Sequence, residues 1–167
     1  MVRDEAGLAQ ERPVATVNTP AVGTAAPDFE LRDQHGTPVR LADLRDRPVV
    51  LVFFPFAFTG VCTDELRELR GGVGADAGVV ALSCDSMFTL RAYGDANEIE
   101  YPLLSDFWPH GEVARRYGVF DEGRGCALRG TFVIDTSGVI RWSVVNAIPD
   151  ARDVGEYRKV LDGLVAA

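Results

Sequence analysis

Pro55, Thr59 and Cys62 are the residues whose types and spacing point most directly to chemistry. A cysteine thiolate is a strong nucleophile, and its first oxidation product is a reversible sulfenic acid. Upstream of it, Val49 to Phe54 form an apolar run with no polar alternation, too short for a buried helix and consistent with a buried parallel strand. The run stops at Pro55, and Asp64, Glu65, Leu66, Glu68 and Leu69 then follow with helical spacing. Cys62 therefore falls where a strand ends and a helix begins. The first N–H groups of a helix lack partners inside it and carry the positive end of its dipole, so a thiolate placed there is stabilised. Thr59 is a good N-cap type whose hydroxyl can donate to a nearby anion and accept from a backbone N–H. Pro55 removes a donor and fixes the chain at the strand end.

The elements that must position these residues can be read on either side of them. Residues 1–19 mix charge with Pro, Thr and Ala without periodicity, which predicts a flexible tail ahead of a single folded domain over residues 20–167. Phe29 and Leu31, a turn at Gln34 to Gly36, then Val39 and Leu41 predict an N-terminal β-hairpin. After the Cys62 helix, glycines at 71, 72 and 74 break the pattern and Val79 to Leu82 read as a second apolar strand. Cys84 and Asp85 follow it, then a helix from Met87 to Asn97. A short strand, Tyr101 to Leu104, leads into the turn-rich SDFWPHG. Next come a helix through Val113, Ala114 and Tyr117, and a loop from Asp121 to Leu128. Thr131 to Ile134 and Val139 to Val145 flank an Asp-Thr-Ser-Gly turn and read as a second hairpin. A final helix, Val154 to Val165, places Tyr157, Val160, Leu161 and Leu164 on one face. Alternating strands and helices closed by a hairpin predict a three-layer α/β/α arrangement around a central mixed sheet.

In such a sheet, ligands collect beyond the carboxyl ends of the strands. Cys62 follows one such end and Cys84 the next, so the two cysteines are expected at one edge. Arg129 stands just before the strand Thr131 to Ile134. Trp108 and His110 in the SDFWPHG loop fit either a substrate entrance or a packed Trp beside an exposed His, and neither is assigned to catalysis. Tyr93 and Tyr117, in helical patterns, are expected in the core or an interface.

Composition narrows the function further. With 25 acidic against 17 basic residues the net charge is −8, which opposes general binding to nucleic acid or anionic membrane. Lys159 is the single lysine, a bias that fits a GC-rich genome. The longest apolar stretch falls short of the roughly 20 residues that a spanning helix needs. The N-terminal residues lack an apolar signal core, so the expected location is cytoplasmic. Cys62, Cys84 and Cys126 are an odd set without paired spacing, which indicates neither a disulfide framework nor a zinc site, and no metal or other cofactor is expected.

The pattern P-x-x-x-T-x-x-C at Pro55, Thr59 and Cys62 resembles the active-site motif of the peroxiredoxins. Gly23 to Phe29 (GTAAPDF) is similar to that family's entry segment, and RGTFVID after Leu128 to its arginine strand. PFAFTGVC together with LLSDFWPHG looks most like the AhpE-type, one-cysteine members. The resemblance implies a thioredoxin-like fold and a thiol-dependent peroxidase acting on hydrogen peroxide and organic hydroperoxides, with peroxynitrite as a further candidate. Cys62 would become a sulfenic acid, Thr59 would orient thiolate and peroxide, and Pro55 would shield the sulfur. Arg129 would favour the thiolate and hold the peroxide oxygens, and Glu65 would support the arginine or simply complement the helix dipole. An external thiol would recycle the enzyme, through a mycothiol and mycoredoxin-like system or thioredoxin, and the protein would form a homodimer or higher homo-oligomer. Cys84 and Cys126 match no spacing associated with a resolving cysteine in the PrxQ type. Each is either a resolving cysteine or a small buried hydrophobe. A different class of function, a redox sensor or relay passing oxidation to a partner protein, uses the same activated cysteine. A disulfide oxidoreductase or metallochaperone would need a second cysteine where Glu65 or Leu66 stands.

Overall fold

All five side chains of Val49–Phe53 are buried, which is why this strand shows no polar alternation. The computed structural model describes residues 18–71, 73, 77–148 and 153–165. Residues 1–17 of the tail predicted over residues 1–19, and the glycines at 72 and 74, lie outside the described residues. In chain order the elements are β1 (Glu30–Arg32), β2 (Pro38–Arg40), β3 (Val49–Phe53), α1 (Gly60–Glu68), β4 (Gly78–Ser83) and α2 (Met87–Asn97). They continue with β5 (Leu103–Ser105), α3 (Glu112–Arg116), β6 (Phe120–Asp121), β7 (Cys126–Ala127), β8 (Arg129–Ile134), β9 (Ile140–Asn146) and α4 (Val154–Val165).

Seven strands form one sheet in the order β2-β1-β5-β4-β3-β8-β9, and β6 with β7 forms a separate small hairpin. β3 runs parallel to β4, with Phe53 opposite Leu82, and antiparallel to β8, with Val52 opposite Thr131. The sheet is therefore mixed, and β3 lies inside it. Alternate residues of β3, continued by Phe54 just beyond it, feed two cores. Val49, Leu51 and Phe53 pack with Phe132, Tyr117 and Val113 of α3 on one face. Val50, Val52 and Phe54 pack with Leu66 of α1, Leu90 and Tyr93 of α2, and Tyr157 and Leu161 of α4 on the other. Each fully buried Val, Leu or Phe contributes about 1.5–3 kcal/mol relative to exposure, so β3 alone anchors much of the domain.

These layers match the α/β expectation, and the differences are local. Arg129 does not precede its strand; it opens β8. The stretch Asp121 to Leu128 is no plain loop, because Asp121 pairs with Cys126 in the β6–β7 hairpin. The fifth strand begins at Leu103, beyond Pro102. Asn18 and Thr19, the described end of the predicted tail, lie against Gly118. Gly118 has φ +66, and a Cβ there would come within 2.7 Å of the Asn18 and Thr19 backbone, so only glycine suits the position.

Candidate active site

Thr59 is the N-cap residue of α1 by backbone conformation, with φ −105 and ψ 146, and Cys62 lies in the first turn. The Thr59 hydroxyl does not cap the helix. It donates to the Phe56 carbonyl at 2.8 Å, closing a turn within the preceding loop. Pro55 is buried and Cys62 has no exposed surface, so the sulfur lies beneath the atoms around it. The same shielding keeps bulk water off the thiol.

Glu65 follows Cys62 by three residues and therefore lies on the same side of α1. Its carboxylate accepts a hydrogen bond at 2.9 Å from Nη1 of Arg129, across 64 residues of sequence. Both side chains are almost completely buried, at 5% and 3% exposure, so Arg129 is not a solvated arginine at a strand start. Its Nε donates to the Ile148 carbonyl, which ties the segment after β9 to the same group. Gly130 lets β8 pass close to its neighbour, since a Cβ there would stand 2.8 Å from Val119. The sheet order β4-β3-β8 thus brings a buried guanidinium, a carboxylate and Cys62 to one end of β3.

Asp85 and the hydroxyl of Tyr93, for which the sequence predicts no role, both touch this region. Asp85 Oδ2 accepts from the Ala57 N–H at 2.9 Å. Tyr93 is fully buried, its hydroxyl donates to Thr63 Oγ1 at 3.2 Å, and its ring lies edge-on to Phe58. Burial raises its pKa above the ordinary tyrosine value, the bond to Thr63 opposing that rise. A usable signal for Asp85 was its place at the carboxyl end of the strand next to β3. For the Tyr93 hydroxyl no sequence signal exists, because helical periodicity reports a face and not a hydrogen bond.

Cys84 and Cys126 are buried free thiols. Cys84 packs in the core on the α3 side, whereas Cys62 packs in the core on the α1 side, so the shared sheet edge does not place them in one cluster. Burial, reinforced by Asp106 and the neighbouring Cys126, pushes Cys84 up to about 12, and burial likewise pushes Cys126 up to about 11. Both are protonated at neutral pH and are poor nucleophiles. Folded-state values above the ordinary 9.0 contribute stability below about pH 9 that is lost as pH rises through about 11 to 12. Accordingly, iodoacetamide at pH 8 is expected to leave Cys84 and Cys126 unlabelled in the native protein and to label both after denaturation. Peptide mapping reads this directly, and native labelling of either would contradict it.

The SDFWPHG loop reverses the simpler expectation for its aromatic and histidine. Trp108 is 82% exposed, while the partly buried His110 ring bridges the Phe107 and Gly125 carbonyls through its two nitrogens.

The model of the AhpC/TSA family matches residues 22–143. Alkyl hydroperoxide reductase E of Mycobacterium tuberculosis is 43% identical over 150 residues, covering 87% of this chain and 98% of that protein. A putative peroxiredoxin in the rubredoxin operon of Clostridium pasteurianum is 33% identical, covering 84% of this chain and 86% of that protein. Among solved structures, AhpC of Enterococcus faecalis aligns with a TM-score of 0.78 at 29% identity, over 87% of this chain and 92% of that one. Peroxidoxin BcpB of Mycobacterium tuberculosis aligns at 0.73 and 34% identity, over 87% and 96%.

Proposed function

Because the chain belongs to the AhpC/TSA family and is a peroxiredoxin, a thiol-dependent peroxidase, we propose that Cys62 is its peroxidatic cysteine and that an external thiol recycles it. The observation that carries the assignment is Cys62 in the first turn of α1, one helical turn from a carboxylate that holds the buried Arg129. In the proposed reaction the Cys62 thiolate attacks the terminal oxygen of a hydroperoxide. An S–O bond forms, the O–O bond breaks, and the departing alkoxide or hydroxide takes a proton and leaves as alcohol or water. Cys62 is left as a sulfenic acid. The amides of the first helical turn and the Arg129 guanidinium stabilise the developing negative charge, Glu65 holds Arg129 in place, Pro55 shields the sulfur, and Thr59 orients the peroxide.

The burial of Cys84 and Cys126, with Cys84 packed in the core opposite that of Cys62, supports an external reductant over an internal resolving cysteine. A low-molecular-weight thiol such as mycothiol, with a mycoredoxin-like partner, fits the mycobacterial relative, and the setting is the cytoplasm. Mass spectrometry of the intact protein after one equivalent of peroxide tests this. One added oxygen on Cys62, then capture by a small thiol, is the expected result. A dominant peptide crosslinking Cys62 to Cys84 or Cys126 would overturn it and point to a thioredoxin-type recycler.

The proposal includes a homodimer through the exposed aromatics Phe56, Phe58, Phe88, Phe107 and Trp108, which follow the carboxyl ends of the adjacent strands β3, β4 and β5. Their exposed area is on the order of 600 Å², most of the roughly 800 Å² per partner in a standard interface. An isologous pair would bury this belt against itself. Sedimentation is expected to show a dimer that Trp108→Glu with Phe88→Glu converts to monomer; a monomeric wild-type protein would refute the dimer.

A further inference from the structure

The loop between β3 and α1 is strained at one residue and clamped at the residue before it. Phe58 has φ +63, a left-handed conformation that a bulky side chain adopts only where its surroundings impose it, and such residues cluster at functional sites. The adjacent Ala57 N–H donates to Asp85 Oδ2. Asp85 is itself immobilised from three directions. The Ser83 hydroxyl donates to the same Oδ2 at 2.7 Å, the Ser83 hydroxyl oxygen accepts the Asp85 N–H at 3.2 Å, and the Ser105 hydroxyl donates to the Asp85 carbonyl at 2.6 Å. Ser83 and Ser105 face each other as the last residues of the parallel strands β4 and β5. The ends of two rigid strands therefore fix a carboxylate, and that carboxylate fixes the loop that delivers Thr59 and Cys62.

We propose that Asp85 is a positioning residue for the peroxidatic thiol: by holding the Ala57 N–H it keeps the strained Phe58 turn closed and sets Pro55, Thr59 and the first turn of α1 in register. This rests on the assignment of Cys62 as the thiol that peroxide oxidises. The carboxylate acts as a hydrogen-bond acceptor anchored to the sheet, and not through its charge. Peroxide reduction needs the sulfur, both peroxide oxygens and the stabilising donors in line, so it depends steeply on loop geometry. Alkylation by iodoacetamide needs only a thiolate that the reagent can reach.

The test compares hydrogen peroxide oxidation and iodoacetamide alkylation of Cys62 in the full chain, by stopped flow and by mass spectrometry. In Asp85→Ala the peroxide rate constant is expected to fall about 100-fold, while alkylation of the buried thiol, which a loosened loop admits at least as readily, is not expected to fall. Asp85→Asn keeps an oxygen acceptor, and both its rates are expected within about threefold of wild type. Ser83→Ala frees the carboxylate without removing it. It is expected to lose about 3- to 10-fold in peroxide rate alone, which decides the matter if Asp85→Ala does not fold. The proposal is overturned by an unchanged peroxide rate in folded Asp85→Ala or in Ser83→Ala. Equal losses with both reagents would also overturn it, as would a tenfold or larger peroxide loss in Asp85→Asn, which would assign the effect to charge. A wild-type protein that consumed peroxide without oxidising Cys62 would instead remove the assignment beneath it.

Discussion

Cys62→Ser is expected to abolish peroxide consumption, reducing it to the rate of protein-free buffer. A serine hydroxyl is not appreciably ionised near neutral pH and does not form the sulfenic acid through which the oxygen atom is transferred, so the loss is chemical and not geometric. The substitution also places a hydroxyl in a core position with no exposed surface, beside Leu66 and Val52. An unsatisfied buried hydroxyl costs roughly 1–3 kcal/mol, small enough for the variant to stay folded. Cys84→Ser and Cys126→Ser should keep the first oxidation step, because neither thiol lies in the first turn of α1. Stopped-flow oxidation of the three variants, with circular dichroism as the folding control, separates the cases. A folded Cys62→Ser protein that still turned over peroxide near the wild-type rate would sink the assignment.

Arg129→Ala should lower both rate and stability, and the two losses can be separated. Removing a donor that stabilises transition-state charge typically costs about 10²–10³-fold in rate. Removing one member of a buried ion pair leaves the other as an uncompensated charge, at about 3–5 kcal/mol. Burial of Arg129 and Glu65 is what makes the second figure apply; for a solvated pair it would be about 0–1 kcal/mol. The double variant Glu65→Leu with Arg129→Met replaces the pair with apolar side chains of similar size. It is expected to recover most of the stability, as buried pairs replaced this way often do, while its rate stays as low as that of Arg129→Ala. Urea unfolding and stopped-flow oxidation on the same samples provide both readings. If Arg129→Ala keeps the wild-type rate, the guanidinium is structural; if the double variant regains rate, the pair serves only stability.

The sequence alone determined the segment proposed to carry the chemistry, because everything that defines it is local. Pro55, Thr59 and Cys62 lie within one strand-to-helix connection, and the apolar run of β3 and the helical spacing after Cys62 report their elements without long-range information. For the same reason the helices Met87–Asn97 and Val154–Val165 were legible to their ends. The N-terminal hairpin was legible too, around its turn at Gln34 to Gly36, although Phe29 and Leu41, expected in its strands, lie one residue outside β1 and β2. What only the tertiary structure decided depends on which strands became neighbours. Placing β8 beside β3 buried Arg129 and brought it to Glu65, and placing β4 on the other side put Asp85 under Ala57. Sequence spacing carries no trace of either contact, since the partners are 64 and 28 residues apart and each residue type has an equally ordinary place on a surface. The Thr59 hydroxyl was a matter of rotamer and loop shape: a side chain suited to capping found a nearer acceptor in the Phe56 carbonyl. Spacing alone leaves Cys84 and Cys126 as either resolving cysteines or small core residues. Burial raised both thiols well above neutrality, a property set by the low polarity of the packed interior and invisible in composition.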